Sequence, residues 1–306
     1  MSEWISCPLC ESGEASPFIR TRDYPLRLPG AYTYVRCAHC GLVYLNPRPT
    51  WKERQQHYSI RYPGYYDRTN ENSYFQRRAA EFGLWKRWRV VAPFVSNGRL
   101  LDVGCGTGDF MSWFQSHSGG QAFGVDRNPE IGQPAQQGAR ARIMIGSADR
   151  LAFPNETFEV VMLWTVLEHL ENPLPSLREC VRVLRQGGIL VVRTVAIESW
   201  GARWFGPYWV GYDAPRILTV FSRSALRKIL EDVGAKILSF GYYFYDFHPF
   251  LWSLRNYCRE HLPGALYQFL SNFPHLWLLQ WITLPYFVLQ TALGGNSFVT
   301  VLARKP

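Results

Sequence analysis

Residues 99–108 read Arg99-Leu100-Leu101-Asp102-Val103-Gly104-Cys105-Gly106-Thr107-Gly108, and the next six, Asp109-Phe110-Met111-Ser112-Trp113-Phe114, have helical character. An apolar run, a glycine turn and a helix in this order predict a buried strand that delivers its C-terminal end to a nucleotide-type ligand. Glycine lets the backbone approach that ligand, and the helix start offers N–H groups without intrahelical partners. The spacing narrows the ligand. A dinucleotide fingerprint wants a third glycine at position 109, where this chain has Asp109, and the sequence contains no phosphate-cradling lysine motif. The next predicted strand, Ala122-Phe123-Gly124-Val125, ends at Asp126, where a carboxylate accepts hydrogen bonds from two ribose hydroxyls. A nucleoside without a pyrophosphate is the expected ligand.

Further signals follow downstream in order. Gly146-Ser147-Ala148-Asp149-Arg150-Leu151-Ala152-Phe153-Pro154 leads to Phe158-Glu159-Val160-Val161, then to Val166-Leu167-Glu168-His169-Leu170, then to Leu184-Arg185-Gln186-Gly187-Gly188-Ile189-Leu190. With 101–108, these segments resemble the first motif, the adenine-side loop and fourth strand, and the helix and Gly-Gly turn of class I S-adenosylmethionine-dependent methyltransferases. The resemblance covers about 98–243 and the terminal strand. It implies an α/β fold with a seven-stranded Rossmann-like sheet whose last strand is antiparallel. It also implies that Gly104, Gly106 and Gly108 line the methionine end of S-adenosylmethionine, that Asp102 orients its ammonium group and that Asp126 holds its ribose. The family often has an Asp where this chain has Ser147; Ser147 offers one hydrogen bond to the adenine, and the backbone of Ala148 is the further expected contact.

Four of the seven cysteines lie in the first 40 residues, as Cys7-Pro8-Leu9-Cys10 and Cys37-Ala38-His39-Cys40. A two-residue gap lets both thiolates of a tight knuckle face one ion, and two knuckles complete a tetrahedral site. Gly13 and Gly41 suit the tight turns beside it. A zinc ribbon with a structural, not catalytic, zinc is expected, because four thiolates leave no open position. Two disulfides or a redox CxxC are the alternatives. Disulfides conflict with an N-terminus that lacks a basic start followed by an apolar run, and a redox CxxC normally opens a helix beside a strand. The expectation is therefore no secretory signal, a cytoplasmic chain and reduced thiols. Cys105, Cys180 and Cys258 read as ordinary buried residues.

The chain has 306 residues, 47% hydrophobic and 19% charged, which excludes wholesale disorder; no collagen, heptad or solenoid repeat is present. Its net charge of +9 is uneven. Residues 1–98 hold 14 Lys/Arg against 8 Asp/Glu, residues 99–200 hold 9 against 11, and residues 201–306 hold 10 against 5. Basic flanks serve solubility or an acidic acceptor such as a phosphorylated lipid, an anionic membrane face or RNA. The reading divides the chain into a zinc ribbon (1–48), a helical lid and linker (49–97) and a methyltransferase domain (98–306).

In 49–97, Phe75, Ala79, Phe82 and Trp85 share one side of a predicted helix, and Tyr58, Tyr62, Tyr65 and Tyr66 are candidates to touch substrate, with packing as the alternative use. After the predicted fifth strand (188–194) comes an aromatic stretch with Trp200, Trp204, Phe205, Tyr208 and Trp209, then Asp213-Ala214-Pro215-Arg216-Ile217-Leu218. This resembles a subgroup of the same family that pairs an N-terminal zinc ribbon with an aromatic loop and works in cell-surface glycan and lipid assembly. There the stretch usually reads Pro-Arg-His-Leu, and here Ile217 replaces the His. A helix is expected over 223–232, ended by Gly234, and a sixth strand over 236–243.

Between that strand and the last one, 297–303, lies an apolar aromatic insert, 244–295. No Asp, Glu, Lys or Arg occurs from His261 to Ala303. A single membrane crossing would strand the last strand away from its sheet. Two half-helices bent at Pro285, with Trp277 and Trp281 at headgroup depth, are expected if the insert meets a membrane face; a hairpin packed on protein is the alternative.

The expected activity is S-adenosylmethionine-dependent O-methylation of a glycan, a lipid-linked sugar or another apolar small acceptor. Candidate general bases are His169, after the fourth strand, and His248 in the insert. An RNA methyltransferase gripping phosphates with the ribbon and basic flank, and a non-catalytic scaffold, are the alternatives.

Overall fold

The structure, a computed structural model, describes residues 2–58, 74–95, 97–129, 142–242, 246–264, 267–268 and 276–306. Tyr62, Tyr65 and Tyr66 lie outside the described residues, as do the side chains of Phe75, Ala79 and Trp277. In chain order the strands are β1 (Ala15–Thr21), β2 (Tyr32–Cys37), β3 (Val43–Leu45), β4 (Arg99–Val103), β5 (Gln121–Asp126), β6 (Arg142–Ile145), β7 (Phe158–Trp164), β8 (Leu184–Val195), β9 (Thr219–Val220), β10 (Lys236–Gly241) and β11 (Phe298–Arg304). The helices are α1 (Trp51–Arg54), α2 (Tyr74–Val91), α3 (Asp109–Ser118), α4 (Pro173–Val183), α5 (Trp200–Phe205), α6 (Arg223–Asp232), α7 (Phe247–His261) and α8 (Leu276–Ala292). They fall into two compact units. One holds Met1–His57, Val195–Arg223 and Phe244–Val299; the other holds Tyr58–Thr194, Ser224–Tyr243 and Thr300–Pro306.

The second unit carries the seven-stranded sheet, in the order β10-β11-β8-β7-β4-β5-β6, with β11 antiparallel to β10 and β4 through β8 parallel where paired. The α/β methyltransferase sheet with its antiparallel last strand is as expected. β4 lies inside the sheet between β7 and β5, and Leu100 through Val103 are buried. Leu100, Val160, Met162, Ile189 and Val191 from the strands pack with Phe110, Met111 and Phe114 of α3. The Gly-Gly segment is not a free turn: Gly187 and Gly188 lie in an irregular stretch of β8 where its register against β7 shifts, with Gly187 at φ +72°, and both bond to Lys305 after β11. Leu167–His169 is a single 3-10 turn, and the helix proper starts later, at Pro173, whose missing N–H costs nothing in a first turn.

Helix α2 turns the side that carries Phe82 and Trp85 away from the core. Phe82 and Trp85 are exposed and stacked on each other, while Val91, Leu84, Trp88 and Arg87 turn to the core. Positions 84, 87, 88 and 91 form one helical stripe. An aromatic pair alone does not identify the buried side, because a charged residue, Arg87, lies on it.

The first unit carries the four-stranded sheet β1-β2-β3-β9. Its core joins Tyr34, Val43 and Leu45 to the aromatic stretch, with Phe205, Trp209 and Tyr212. Trp209 is fully buried and its Nε1 donates to Ser297 Oγ at 3.1 Å, so this ring is core and not a ligand wall. The unit also holds a buried ionic network. Arg216 donates to both carboxylate oxygens of Asp23 and of Asp213, and His57 Nδ1 lies 2.6 Å from Asp23 Oδ2. Ile217, at the position where the resemblance has His, is buried, and its carbonyl accepts the Tyr34 hydroxyl at 2.6 Å. The insert supplies α7 and α8, and α8 runs through Pro285 as one helix instead of two half-helices.

Candidate active site

In the second unit, the chain leaves β4 at Val103 and turns through Gly104, Gly106 and Gly108, all left-handed at φ +72°, +53° and +77°. Two of them have separate reasons to be glycine. A Cβ on Gly104 would collide with Val166, and the Gly104 amide donates to Val125 O at 2.7 Å. Among the described residues, a Cβ on Gly106 would meet nothing within 4 Å, so this turn borders open space. Gly108 then caps α3 without a side-chain bond.

Asp126, at the end of β5, is buried. Its Oδ2 accepts the Gly106 amide and its Oδ1 accepts the Asn128 amide, both at 2.8 Å. Burial pushes its carboxyl above the usual carboxylate range, opposed by backbone amides including those two. The loop after β6 is brought to the same strand end, since the Gly146 amide donates to Asp126 O at 2.9 Å. Ser147 is half-buried there and Ala148 buried.

Asp102 is fully buried, and Arg87 Nη2 reaches both its oxygens at 2.8 Å. The Arg87 guanidinium also lies over the Phe110 and Trp164 rings, at 4.2 and 5.2 Å from their centroids. Sequence reasoning missed Arg87. The usable signal was an arginine on the apolar stripe of a helix, which needs a buried anion.

Beyond β7, Thr165 adopts φ +57°, a costly conformation for a β-branched residue. Glu168 follows, buried, with Oε2 lacking a hydrogen-bond partner among the described residues; burial pushes its carboxyl up, while His169 and Arg193 pull the other way. His169 is half-buried, with Nδ1 3.4 Å from the Tyr58 hydroxyl. The structure therefore places Asp102, Gly104, Gly106, Gly108, Asp126, Ser147, Ala148 and His169 in one unit. His248 belongs to the other unit, exposed in the first turn of α7.

The donor set fits S-adenosylmethionine. It offers an open glycine cradle, helix-start amides for the amino-acid end, and an acidic strand end with lone pairs left for hydroxyl donors.

The four cysteines fit zinc. Their Sγ atoms all lie within 4.8 Å of one another, with Cys7–Cys40 at 3.5 Å and Cys10–Cys37 at 3.4 Å. Zn–S bonds of about 2.3 Å in a tetrahedron put sulfurs ~3.8 Å apart. The two knuckles match: the Glu11 amide donates to Cys7 O and the Gly41 amide to Cys37 O. The left-handed residue of the first knuckle is Glu11 at φ +61°, not Gly13. Burial is the largest influence on Cys37 and pushes its thiol up, but backbone bonds at Cys40 and His39 and neighbouring thiols bring it down to about 7. Burial pushes Cys40 up to about 11.

Known proteins resemble this chain over the region that includes this site. A family profile described as "Methyltransferase domain" matches residues 74–239. A ubiquinone biosynthesis O-methyltransferase of Parvibaculum lavamentivorans is 32% identical over 125 residues, covering 39% of this chain and 48% of the relative. A demethylmenaquinone methyltransferase of Roseiflexus castenholzii is 33% identical over 153 residues, covering 46% and 62%. The chain thus spans about half to three-fifths of the length of these curated relatives. Among solved structures, an S-adenosylmethionine-dependent methyltransferase from Archaeoglobus fulgidus shares the fold, with a TM-score of 0.50 at 18% identity over 76% of this chain and 100% of the other. The profile spans more than half of the sequence and takes in the glycine cradle, so the chain belongs to the methyltransferase-domain family and carries the class I S-adenosylmethionine-dependent methyltransferase fold.

Proposed function

We propose that this protein is an S-adenosylmethionine-dependent methyltransferase that O-methylates a glycan, a lipid-linked sugar or another apolar small acceptor in the cytoplasm. The observation that carries the donor half is the pairing of Asp126 with Gly106, which presents a carboxylate beside an open left-handed turn. A small acceptor is favoured over nucleic acid by the names of two relatives, one of ubiquinone biosynthesis and one acting on demethylmenaquinone. The aromatic stretch and apolar insert favour an apolar one. In this reading residues 1–48 are the zinc ribbon, held by a structural zinc on Cys7, Cys10, Cys37 and Cys40. Residues 49–97 are the lid and linker, and 98–306 the methyltransferase domain with its insert 244–295.

When bound, S-adenosylmethionine supplies an activated methyl group, and the protein supplies alignment. Asp126 accepts hydrogen bonds from the ribose hydroxyls on the lone pairs that Gly106 and Asn128 leave. Gly104, Gly106 and Gly108 allow backbone approach at the methionine end. Asp102 orients the ammonium group, and Arg87 holds Asp102 in place. Ser147 and the Ala148 backbone hold the adenine side. His169 takes the acceptor hydroxyl proton, with its Nδ1 facing Tyr58; His248 is the second candidate base.

Label tracing tests the whole reading. The purified protein is incubated with methyl-labelled S-adenosylmethionine and an extract of its own cells, and lipid, aqueous glycan and nucleic acid are counted separately. Label in lipid or glycan supports the proposal. Label in RNA replaces its acceptor, and no binding of S-adenosylmethionine at millimolar concentration replaces it with a scaffold.

A further inference from the structure

Helix α8 is built inside out. Among its described side chains, from 281 on, the exposed positions are Trp281 (67%), Ile282 (74%), Pro285, Val288 (47%), Leu289 (54%) and Ala292, continued by Leu293 (64%). At about 100° per residue these fall in one arc, and none carries a polar side chain beyond the indole N–H. The polar group is on the inside. Gln290 is buried, and its Nε2 donates to Gly295 O at 2.9 Å and to Asp246 Oδ2 at 3.3 Å. Asp246 also accepts the Ser297 amide. Phe287 packs inward on Phe247 and Phe250. A helix that exposes its apolar arc and anchors through its polar one has another apolar phase to meet.

The surroundings identify that phase. No helix among the described residues is long and apolar enough to cross a membrane. The α8 arc therefore fits contact parallel to a surface rather than insertion through it. Trp204, exposed in the same unit, stacks on Tyr286 of α8 at 5.5 Å, which adds a second indole beside the arc. Such rings favour headgroup depth. The charges near the arc include two cations. Arg203 is exposed next to Trp204, and Arg223 Nη2 lies 3.5 Å from Gly294 O just past the helix end, with Glu198 bonded to the Arg223 amide. No acidic side chain occurs from 261 to 303. Two copies meeting on this arc would bring like charges together in a chain of net charge +9, whereas an anionic leaflet neutralises them.

We propose that the α8 arc, flanked by Trp204, Arg203 and Arg223, is a docking surface for an anionic lipid bilayer. This goes beyond the catalytic reading and is tested without turnover. The full chain is sedimented with vesicles of phosphatidylcholine containing phosphatidylglycerol, and with phosphatidylcholine alone. Expected is binding to the anionic vesicles, weakened by salt and by Arg203→Glu, and reduced at least about tenfold in Ile282→Ser/Leu289→Ser. Both serines replace exposed side chains, so circular dichroism should be unchanged. A second readout needs no polar variant: brominated lipids should quench wild-type tryptophan emission, and the quench should shrink in Trp281→Phe. Absence of binding, or binding and quenching indifferent to these substitutions, overturns the proposal. So does a wild-type dimer that the double variant converts to monomer, which would make the arc an interface between copies. S-adenosylmethionine binding, measured on the same samples, reports separately on the catalytic reading.

Discussion

The backbone N–H of Gly106 donates to Asp126 Oδ2 at 2.8 Å, across 20 residues of sequence. The end of β5 thus holds open the turn that follows its neighbour β4. In the proposed reading, this one carboxylate both shapes the cradle and holds the ribose. Asp126→Ala removes both contributions, and charge-assisted hydrogen bonds contribute about 1.5–3 kcal/mol each. S-adenosylmethionine affinity by calorimetry should fall at least about tenfold, and an unchanged affinity would sink the ribose assignment.

Gly104 and Gly106 separate fold from ligand. In Gly104→Ala the new methyl group meets Val166 in a left-handed backbone, so thermal stability should drop, by about 1–3 kcal/mol. Val166→Ala in the same chain should recover part of that. In Gly106→Ala the methyl group meets no atom of the described residues within 4 Å, so the stability loss should be smaller and the cofactor affinity should suffer more. Equal loss of stability in both would contradict the open cradle.

His169→Ala should lower kcat about 10²-fold or more with donor affinity unchanged, as expected for a lost general base. Turnover that survives within a few-fold rejects the role. The same measurement on His248→Ala then decides whether the second candidate carries it.

The cysteine cluster should hold about one zinc per chain. Elemental analysis of the purified protein, and of Cys10→Ser, checks this. The variant should lose most of the metal, and a chelator should lower the melting temperature of the wild type but not of the variant. A metal content near zero in wild type prepared with zinc present would remove the ion from the description.

The Asp23–Arg216 network predicts acid sensitivity. Burial alone would raise the Asp23 carboxyl, yet hydrogen bonds from His57 and Arg216 and the Arg216 charge bring it down to about 2. A folded-state value below the unfolded one, about 4, means stability that is complete above pH ~4 and lost as pH falls through ~2. Arg216→Met leaves two buried carboxylates without their cation and should cost about 3–5 kcal/mol near neutral pH. Melting temperatures measured from pH 5 to pH 2 should fall for the wild type and less steeply for Asp23→Asn.

The glycine cradle was legible along the chain because its signals are local. A strand, a left-handed glycine turn and a helix start fit within 20 residues, and the acid that ends the next strand comes soon after. The paired cysteines were legible for the same reason, since a CxxC gap sets the knuckle by itself. Where several residues satisfied one local rule, the choice among them was not. Glu11 and not Gly13 takes the left-handed position, because the amide that closes the first knuckle is its own.

Partners far apart in sequence needed the folded chain. Arg87 finds Asp102 only when α2 lies on β4, so which stripe of that helix is buried depends on an anion elsewhere in the sequence. Arg216 finds Asp23 across 193 residues, and no periodicity announces a cation at that place. The apolar run of α8 was plain from composition, but a run apolar on most sides has no stripe to read. Its direction came from Gln290, whose buried bond to Asp246 turned the polar position inward and left Trp281, Ile282 and Leu289 outside. Local backbone chemistry follows from neighbours in the chain, whereas burial of polar groups follows from the partners that satisfy them, and those partners exist only once the distant segments have packed.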